Sequence, residues 1–189
     1  MNNIDWAKLG EAVEFYKAHG FEYVETPWYI DYESVRITCD IPANIMTVDI
    51  KSDYRTVKGL VGSAEQGFLQ LAIDGKLKSV NYVSCGPCFR DEETSEFHQK
   101  TFMKVELFSR CNSKSEAKHA AKELRNRAKS FMGGRVEPLK TKLGWDLLID
   151  GIEVGSYGAR YHETIGWWAY GTGLAEPRYS TALKKGTKS

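Results

Sequence analysis

Aromatic, basic and acidic residues recur at fixed spacing on both sides of a polar loop near the middle of the chain. The set consists of Phe89, Arg90, Glu92, His98, Phe102 and Glu106. An arginine held on a strand can bind a phosphate through two parallel N–H donors, and an aromatic ring on the partner strand can stack on a nucleobase. A carboxylate beside them can accept hydrogens from an amine. The pattern therefore predicts a nucleotide site.

A different chemistry is suggested by Cys85-Gly86-Pro87-Cys88, directly before this set. In a thioredoxin-like site such a pair opens a helix, whose N-terminus lowers the pKa of the first thiol. Here the pair falls toward the end of an apparent strand. One such pair also supplies only two of the ligands that a zinc ion needs. We expect the two cysteines to be packing residues at a bend formed by Gly86 and Pro87.

The residue pattern predicts the elements that position these side chains. Helices are predicted over residues 5 to 19, from Ser63 to Gly75, over 113 to 131 and from about Leu174. Strands are predicted over residues 21 to 30, 58 to 62, 78 to 90, 100 to 110, 145 to 151 and 152 to 162. The strands on either side of loop 91 to 99 should form a hairpin. A Gly-rich turn should lead into the last helix.

Hairpin-linked strands with helices at the start, middle and end favour an α+β fold, an antiparallel β-sheet flanked by helices. We expect a single domain over residues 1 to 189. Its 42% hydrophobic and 27% charged residues are ordinary for a globular protein, and a net charge of +1 gives no molecule-wide field for polyanions. No apolar run approaches the roughly 20 residues of a membrane span, and no signal peptide is evident, so we expect a cytoplasmic protein.

Three motifs in order resemble those of the class II aminoacyl-tRNA synthetases. The set around Arg90 resembles their second motif, and "FHQKTFMKVEL" is most like the seryl and prolyl branches. "AHGFEYVETPWYI" resembles the first motif, with Pro27 at the expected dimer interface. "YGTGLAEPRYS" resembles the third, a glycine-rich run that ends in Arg178, although Ala175 and Pro177 depart from the usual residues.

The stretches between these motifs extend the resemblance. "SAEQ" at 63 to 66 is similar to the loop that binds the substrate's α-amino group through a glutamate, here Glu65. "EVGSYGAR" is similar to a strand whose Glu and Ser hold magnesium, here Glu153 and Ser156. Strand alternation would place those two on opposite faces unless Gly155 bends the strand. Arg160 lies at the position where the aspartyl and asparaginyl branches of the family have an arginine that binds the side chain of the substrate amino acid.

The resemblance implies ATP-dependent activation of an amino acid, with Mg²⁺ bound to ATP and an aminoacyl-adenylate as product. Arg90 would bind the α-phosphate, Glu92 the adenine amino group, and Phe102 and Arg178 the two faces of the ring. His98 and Arg178 would reach the outer phosphates. Glu65 and Arg160 would bind the amino acid, and Glu153 with Ser156 the metal. A homodimer is implied by the Pro27 motif.

The final acceptor stays open at this point. The chain length leaves no room for an anticodon-binding domain, so we expect a minimal enzyme that uses a tRNA acceptor end, ammonia, a carrier protein or a protein lysine. A catalytically inactive relative that binds tRNA or a partner is the alternative, although both phosphate-binding arginines are present. The amino acid also stays open, because Ser/Pro-like and Asp/Asn-like signals coexist. The basic helix at 113 to 131 is either an RNA-binding stripe or a solvated face.

Overall fold

The computed structural model describes residues 3–39, 41–50 and 56–185; the first two and last four residues of the predicted domain lie outside this range. The helices are α1 (Trp6–Ala18), α2 (Tyr32–Arg36), α3 (Ala64–Ile73), α4 (Lys114–Met132) and α5 (Arg178–Lys185), and Pro42–Asn44 forms one 3-10 turn. The strands are β1 (Glu22–Tyr23), β2 (Tyr29–Asp31), β3 (Thr47–Ile50), β4 (Thr56–Leu60), β5 (Asn81–Phe89), β6 (Thr101–Cys111), β7 (Glu137–Lys140), β8 (Gly144–Ile149), β9 (Ile152–His162) and β10 (Gly166–Glu176).

The described strands form one large and one small sheet. The large sheet has seven strands in the order β1-β5-β6-β10-β9-β8-β7, and all neighbours are antiparallel except β1 and β5. The small sheet has three strands in the order β2-β4-β3. The predicted α+β class with helices flanking an antiparallel sheet is confirmed.

Helices α1 and α4 cover one face of the large sheet, which we call the back face. Leu9 and Tyr16 of α1 and Leu124 of α4 pack there in one buried cluster with Val105 and Tyr157 of the sheet. The opposite face, which we call the front face, is covered in part by α3, whose Phe68 stacks on Phe108. The uncovered remainder of the front face forms a cleft.

Local sequence explains where the helices begin and end. Side-chain oxygens of Asp5, Ser63 and Ser113 accept backbone hydrogen bonds from the first turns of α1, α3 and α4. Such caps satisfy N–H groups that have no partner within the helix. Gly133, at φ 92°, ends α4 in a conformation that side chains with a Cβ rarely adopt. These predicted boundaries are confirmed to within a residue or two.

Three predictions about the elements were wrong. Residues 21 to 30 are two short strands in different sheets rather than one strand. Pro27 lies between them and has no N–H to donate to a ladder. The expected bend at Gly86-Pro87 is absent, because β5 pairs with β6 through Phe89.

The third error concerns the Gly-rich run before Arg178. It is the central strand β10 rather than a turn, and the last helix begins at Arg178 rather than near Leu174. Its glycines allow close packing: a Cβ on Gly171 would lie 2.5 Å from Tyr157 Cδ1, and one on Gly173 would lie 2.8 Å from Tyr16 Cε2. Close approach within a sheet leaves the same glycine signature as a turn.

Strand β3, helix α2 and strand β7 were not predicted from the sequence, whereas the strand predicted over 58 to 62 corresponds to β4 of the small sheet. Within the described residues, no helix is both long and apolar enough to cross a membrane.

Candidate functional site

A cleft of about 820 Å³ opens on the front face of the large sheet. The small sheet and α2 border it on one side, and the β7–β8 hairpin borders it on the other. Every site residue predicted from the sequence except His98 lines this cleft: Glu65, Arg90, Glu92, Phe102, Glu153, Ser156, Arg160 and Arg178. These side chains come from separate parts of the chain, so the fold brings together residues that the sequence could only associate by motif.

Arg90 lies directly after the end of β5, and its side chain lines the cleft. Its Nε donates a hydrogen bond to the Gly62 carbonyl at 3.0 Å, and its guanidinium carbon lies 5.2 Å from the centroid of the Phe102 ring. The Gly62 bond fixes the side chain on the floor between the two sheets. Its other two nitrogens form no hydrogen bond with a described residue and are available for an anion.

The loop between β5 and β6 separates Glu92 from His98. Glu92 faces the cleft, where Asn44 Nδ2 approaches its carboxylate at 3.5 Å. His98 is exposed, and its Nδ1 lies 3.1 Å from Ser95 Oγ within the same loop. The structure therefore brings Glu92 to the predicted site and leaves His98 outside the cleft.

A β-bulge in β9 brings Glu153 and Ser156 to the same side of the sheet. The ladder with β8 pairs Leu148 with Glu153 but Leu147 with Gly155, so Val154 is an extra residue. One extra residue reverses the alternation that would otherwise place residues three apart on opposite faces. The sequence analysis required a distortion of the strand near Gly155 for these two side chains to share a face, and the bulge provides it.

Asp146 joins this pair from the neighbouring strand β8, directly opposite Ser156. Burial, and next the neighbouring Glu153 carboxylate, raises the pKa of Asp146, while a hydrogen bond from Ser156 opposes the rise. Two carboxylates and a hydroxyl close together, where burial and the Glu153 charge both raise the pKa of Asp146, fit a hard cation such as Mg²⁺. Among the described residues no group of three or more His, Cys, Asp or Glu side chains forms a complete metal cage.

Glu65 lies at the inner end of the cleft, 4% exposed, and bonds to two protein donors. Trp168 Nε1 donates to its Oε1 at 2.7 Å, and Arg160 Nη1 donates to its Oε2 at 2.6 Å. The Arg160 guanidinium also lies 4.4 Å from the Tyr170 ring centroid. Burial raises the pKa of Glu65, and the charge of Arg160 opposes this rise. Glu65 and Arg160 are therefore one unit rather than two separate sites.

Arg178, the first residue of α5, also lines the cleft. Its Nε donates to the Phe97 carbonyl at 2.9 Å, and its Nη1 lies 3.9 Å from Glu153. Burial lowers the pKa of Arg178, Glu153 raises it, and nearby Arg90 lowers it. The cleft thus holds two guanidinium groups close enough to repel each other, which favours an anionic ligand between them.

Two further residues of β6, Lys104 and Glu106, line the cleft. Lys104 was not predicted as a site residue, and Glu106 was predicted only as a member of the motif. Lys104 Nζ bonds to Glu106 Oε1 at 3.0 Å, and the two side chains are only 12% and 2% exposed. Glu106 Oε2 is buried and has no hydrogen-bond partner among the described residues. The signal for both was alternation: residues 102, 104 and 106 must share a face once Phe102 is placed in the site.

The cysteine pair lies outside this chemistry. Both residues are free thiols in the continuous strand β5. At about 3.3 Å per strand residue their Cα atoms are about 10 Å apart, beyond the roughly 7 Å that a disulfide allows. Burial raises the pKa of Cys88 to about 12 and also raises that of Cys85. Their role as packing residues is favoured over a redox role.

We expect Cys88 to resist alkylation in the native protein. At pH 8 iodoacetamide should leave Cys88 unmodified, because a thiol that is buried and protonated is a poor nucleophile. In guanidinium chloride the same residue should react fully, and peptide mass spectrometry reports both results. A Cys85–Cys88 disulfide recovered from the air-oxidised native protein would contradict this assignment.

The large sheet with its flanking helices has the catalytic-domain fold of class II aminoacyl-tRNA synthetases. Pyrrolysyl-tRNA synthetase from Desulfitobacterium hafniense superposes with a TM-score of 0.73 and 16% identity, over 97% of this chain and 71% of that one. Serine-tRNA ligase from Naegleria fowleri, solved with AMP, superposes with a TM-score of 0.72 and 14% identity, over 94% of this chain and 48% of that one. Seryl-tRNA synthetase from Pyrococcus horikoshii, solved with ATP, superposes with a TM-score of 0.70 and 17% identity, over 95% of this chain and 50% of that one.

These identities are low enough that the likeness concerns the fold alone. The chain spans about half the length of the two seryl enzymes. No protein-family model and no curated protein matches the sequence.

Proposed function

We propose that this protein activates an amino acid with ATP, forming an aminoacyl-adenylate and pyrophosphate. The observation that carries the proposal is the meeting of Glu65, Arg90, Phe102, Glu153 and Arg178 in one cleft of a synthetase fold. Each has a chemical type that such a reaction needs. Two of the structural neighbours were solved with AMP and ATP, which supports nucleotide use by this fold.

In the reaction a carboxylate oxygen of the amino acid attacks the α-phosphorus of ATP. The bond from that phosphorus to the bridging oxygen of the β-phosphate breaks, and pyrophosphate leaves. The protein supplies no nucleophile. Its contribution is to align the two reactants and to neutralise the negative charge that develops at the phosphorus.

The residues divide these tasks by position. Arg90 binds the α-phosphate and the attacking carboxylate, because its guanidinium lines the cleft and only its Nε is bonded to Gly62. Phe102 and Arg178 hold the adenine ring by stacking and cation-π attraction, and Glu92 accepts its amino hydrogens. His98 joins the outer phosphates only if its loop moves, since it now lies outside the cleft.

Glu65 accepts hydrogen bonds from the substrate's α-ammonium group at the inner end of the cleft. Its present partner Arg160 then turns toward the substrate side chain or keeps one oxygen of Glu65. Glu153 and Ser156, with Asp146 beside them, would hold Mg²⁺. When bound, this ion supplies positive charge to the phosphates of ATP.

The test is amino-acid-dependent exchange of labelled pyrophosphate into ATP, measured with Mg²⁺ against each of the twenty amino acids. Exchange with one amino acid supports the proposal and names the substrate. Absence of exchange with all twenty, both alone and with added tRNA, would overturn it. The acceptor of the second step, for which we propose a tRNA ahead of ammonia, a carrier protein or a protein lysine, follows from adding each one to the active reaction.

We also infer that two copies of the chain associate near Pro27. Trp28 and Tyr29, which follow it, are 58% and 52% exposed, and large aromatics next to each other on a surface favour contact with a partner. Light scattering should give the mass of a dimer at micromolar concentration. A monomer at that concentration would contradict the inference.

A further inference from the structure

Helix α4 carries a one-sided basic stripe on the back of the molecule. At about 100° per residue, Lys114, Lys118, Lys122 and Lys129 fall within an arc of about 80°. Glu116 and Glu123 fall more than about 100° from the centre of this arc. All four lysines are exposed, and none forms an ion pair with a described residue. Since the whole chain has a net charge of only +1, this stripe is a local concentration of positive charge.

Two aromatic rings, the half-buried Trp167 and the exposed Tyr161, lie at the N-terminal end of the stripe. Lys114 Nζ is 5.8 Å from the Trp167 ring centroid, and Trp167 contacts Tyr161 with 5.1 Å between centroids. Tyr161 is 57% exposed. Trp168 is buried on the front face, where its Nε1 reaches Glu65, so its neighbour Trp167 points to the back face by strand alternation. The rings and the lysines therefore share one surface.

The sheet holds this surface in place. Arg125, only 8% exposed, lies 4.1 Å from the Trp145 ring centroid and anchors the same flank of α4 to β8. Ala117, Ala121 and Leu124 bury the adjoining side of the helix. From Lys114 to Lys129 the stripe extends about 22 Å along a rigid element, which suits several consecutive phosphates.

We propose that this surface, defined by Lys114, Lys118, Lys122, Lys129, Tyr161 and Trp167, binds a single-stranded RNA segment. The lysines contact the backbone phosphates, and Tyr161 stacks on an unpaired base. The exposed Tyr161 ring beside the lysines favours an unpaired base, which stacks on an aromatic face, over an acidic peptide, and a membrane would need apolar side chains along the stripe. The surface lies on the opposite side of the sheet from the cleft, so the inference does not depend on the proposed adenylation.

The experiment measures the affinity of the full chain for a fluorescein-labelled 20-nucleotide oligouridylate by anisotropy, at several salt concentrations. The triple variant Lys118→Gln, Lys122→Gln, Lys129→Gln should bind about 100-fold more weakly at about 0.1 M salt, with the salt slope reduced by about 2. The matched control is Lys17→Gln, Lys76→Gln, Lys78→Gln, which removes the same charge from exposed lysines elsewhere. The control should bind as the unmodified chain does.

A second variant separates RNA from other polyanions. Tyr161→Ala should weaken oligouridylate binding about ten-fold, by loss of base stacking, and should leave binding to polyglutamate unchanged. Equal losses in the two lysine variants would overturn the proposal, as would binding to polyglutamate or to phosphatidylserine vesicles that matches binding to RNA. Pyrophosphate exchange by the stripe variant should stay at the level of the unmodified chain, so failure here is distinct from failure of the adenylation proposal.

Discussion

Replacing Arg90 by alanine should reduce pyrophosphate exchange by about 10²- to 10³-fold, the usual cost of removing one donor that stabilises transition-state charge. The arginine is held at the cleft floor by its bond to Gly62 and has nitrogens free to bind phosphate. The loss should appear mainly in kcat, because the charge on the phosphorus is greatest in the transition state. Steady-state exchange at varied ATP concentrations measures both parameters.

Two control variants sharpen this result. Arg90→Lys keeps the positive charge but loses the forked geometry, so its activity should lie between that of Arg90→Ala and that of the unmodified chain. Arg36→Ala removes an exposed arginine from α2 and should leave exchange unchanged. Exchange by Arg90→Ala within three-fold of the unmodified chain would show that the cleft does not use Arg90 on the α-phosphate.

Alanine variants of the two cleft glutamates should differ in stability, although both should lose exchange activity. Glu65→Ala removes the acceptor of the buried Trp168 Nε1 and the charged partner of the partly exposed Arg160, at a cost of about 3 kcal/mol. For a chain of this size that lowers Tm by about 6 to 12 °C. Glu153 has a side chain 48% exposed and one long contact with Arg178, so Glu153→Ala should change Tm by less than about 2 °C.

Differential scanning calorimetry gives the two Tm values, and the exchange assay gives the two activities. Glu65→Gln is the matched control for stability, because an amide oxygen still accepts the Trp168 hydrogen bond. Equal Tm values for Glu65→Ala and the unmodified chain would mean that the Glu65, Arg160 and Trp168 contacts contribute nothing to the fold. Full exchange activity in both alanine variants would remove Glu65 and Glu153 from the proposed reaction.

The sequence predicted best where local pattern and spacing agree. Strands β5 and β6 alternate in character and enclose a polar loop, so their hairpin followed from residues alone. Helix α4 has a serine cap and a terminal glycine, and both ends lay where the pattern placed them. The meeting of Arg90 with Glu65 or Glu153 was beyond any pattern in the residues, and only the motif resemblance suggested it.

The errors come from residues whose role depends on the tertiary fold. The glycines of β10 read as turn residues because their close contacts with Tyr16 and Tyr157 come from distant parts of the chain. Residues 21 to 30 divide into two strands because the second strand pairs in the small sheet, and the local sequence carries no signal for that sheet. Lys104 went unnoticed because a lysine on a strand is usually solvated, whereas here it pairs with buried Glu106.

The most direct test of the central claim follows one oxygen atom. The amino acid named by the exchange assay is labelled with ¹⁸O in its carboxylate and incubated with ATP, Mg²⁺ and hydroxylamine as a general acceptor. Attack of that carboxylate on the α-phosphorus predicts AMP that carries one ¹⁸O, seen by mass spectrometry, and Arg90→Ala should form little of it. AMP without the label, or ADP as the product, would contradict an adenylation site in this cleft.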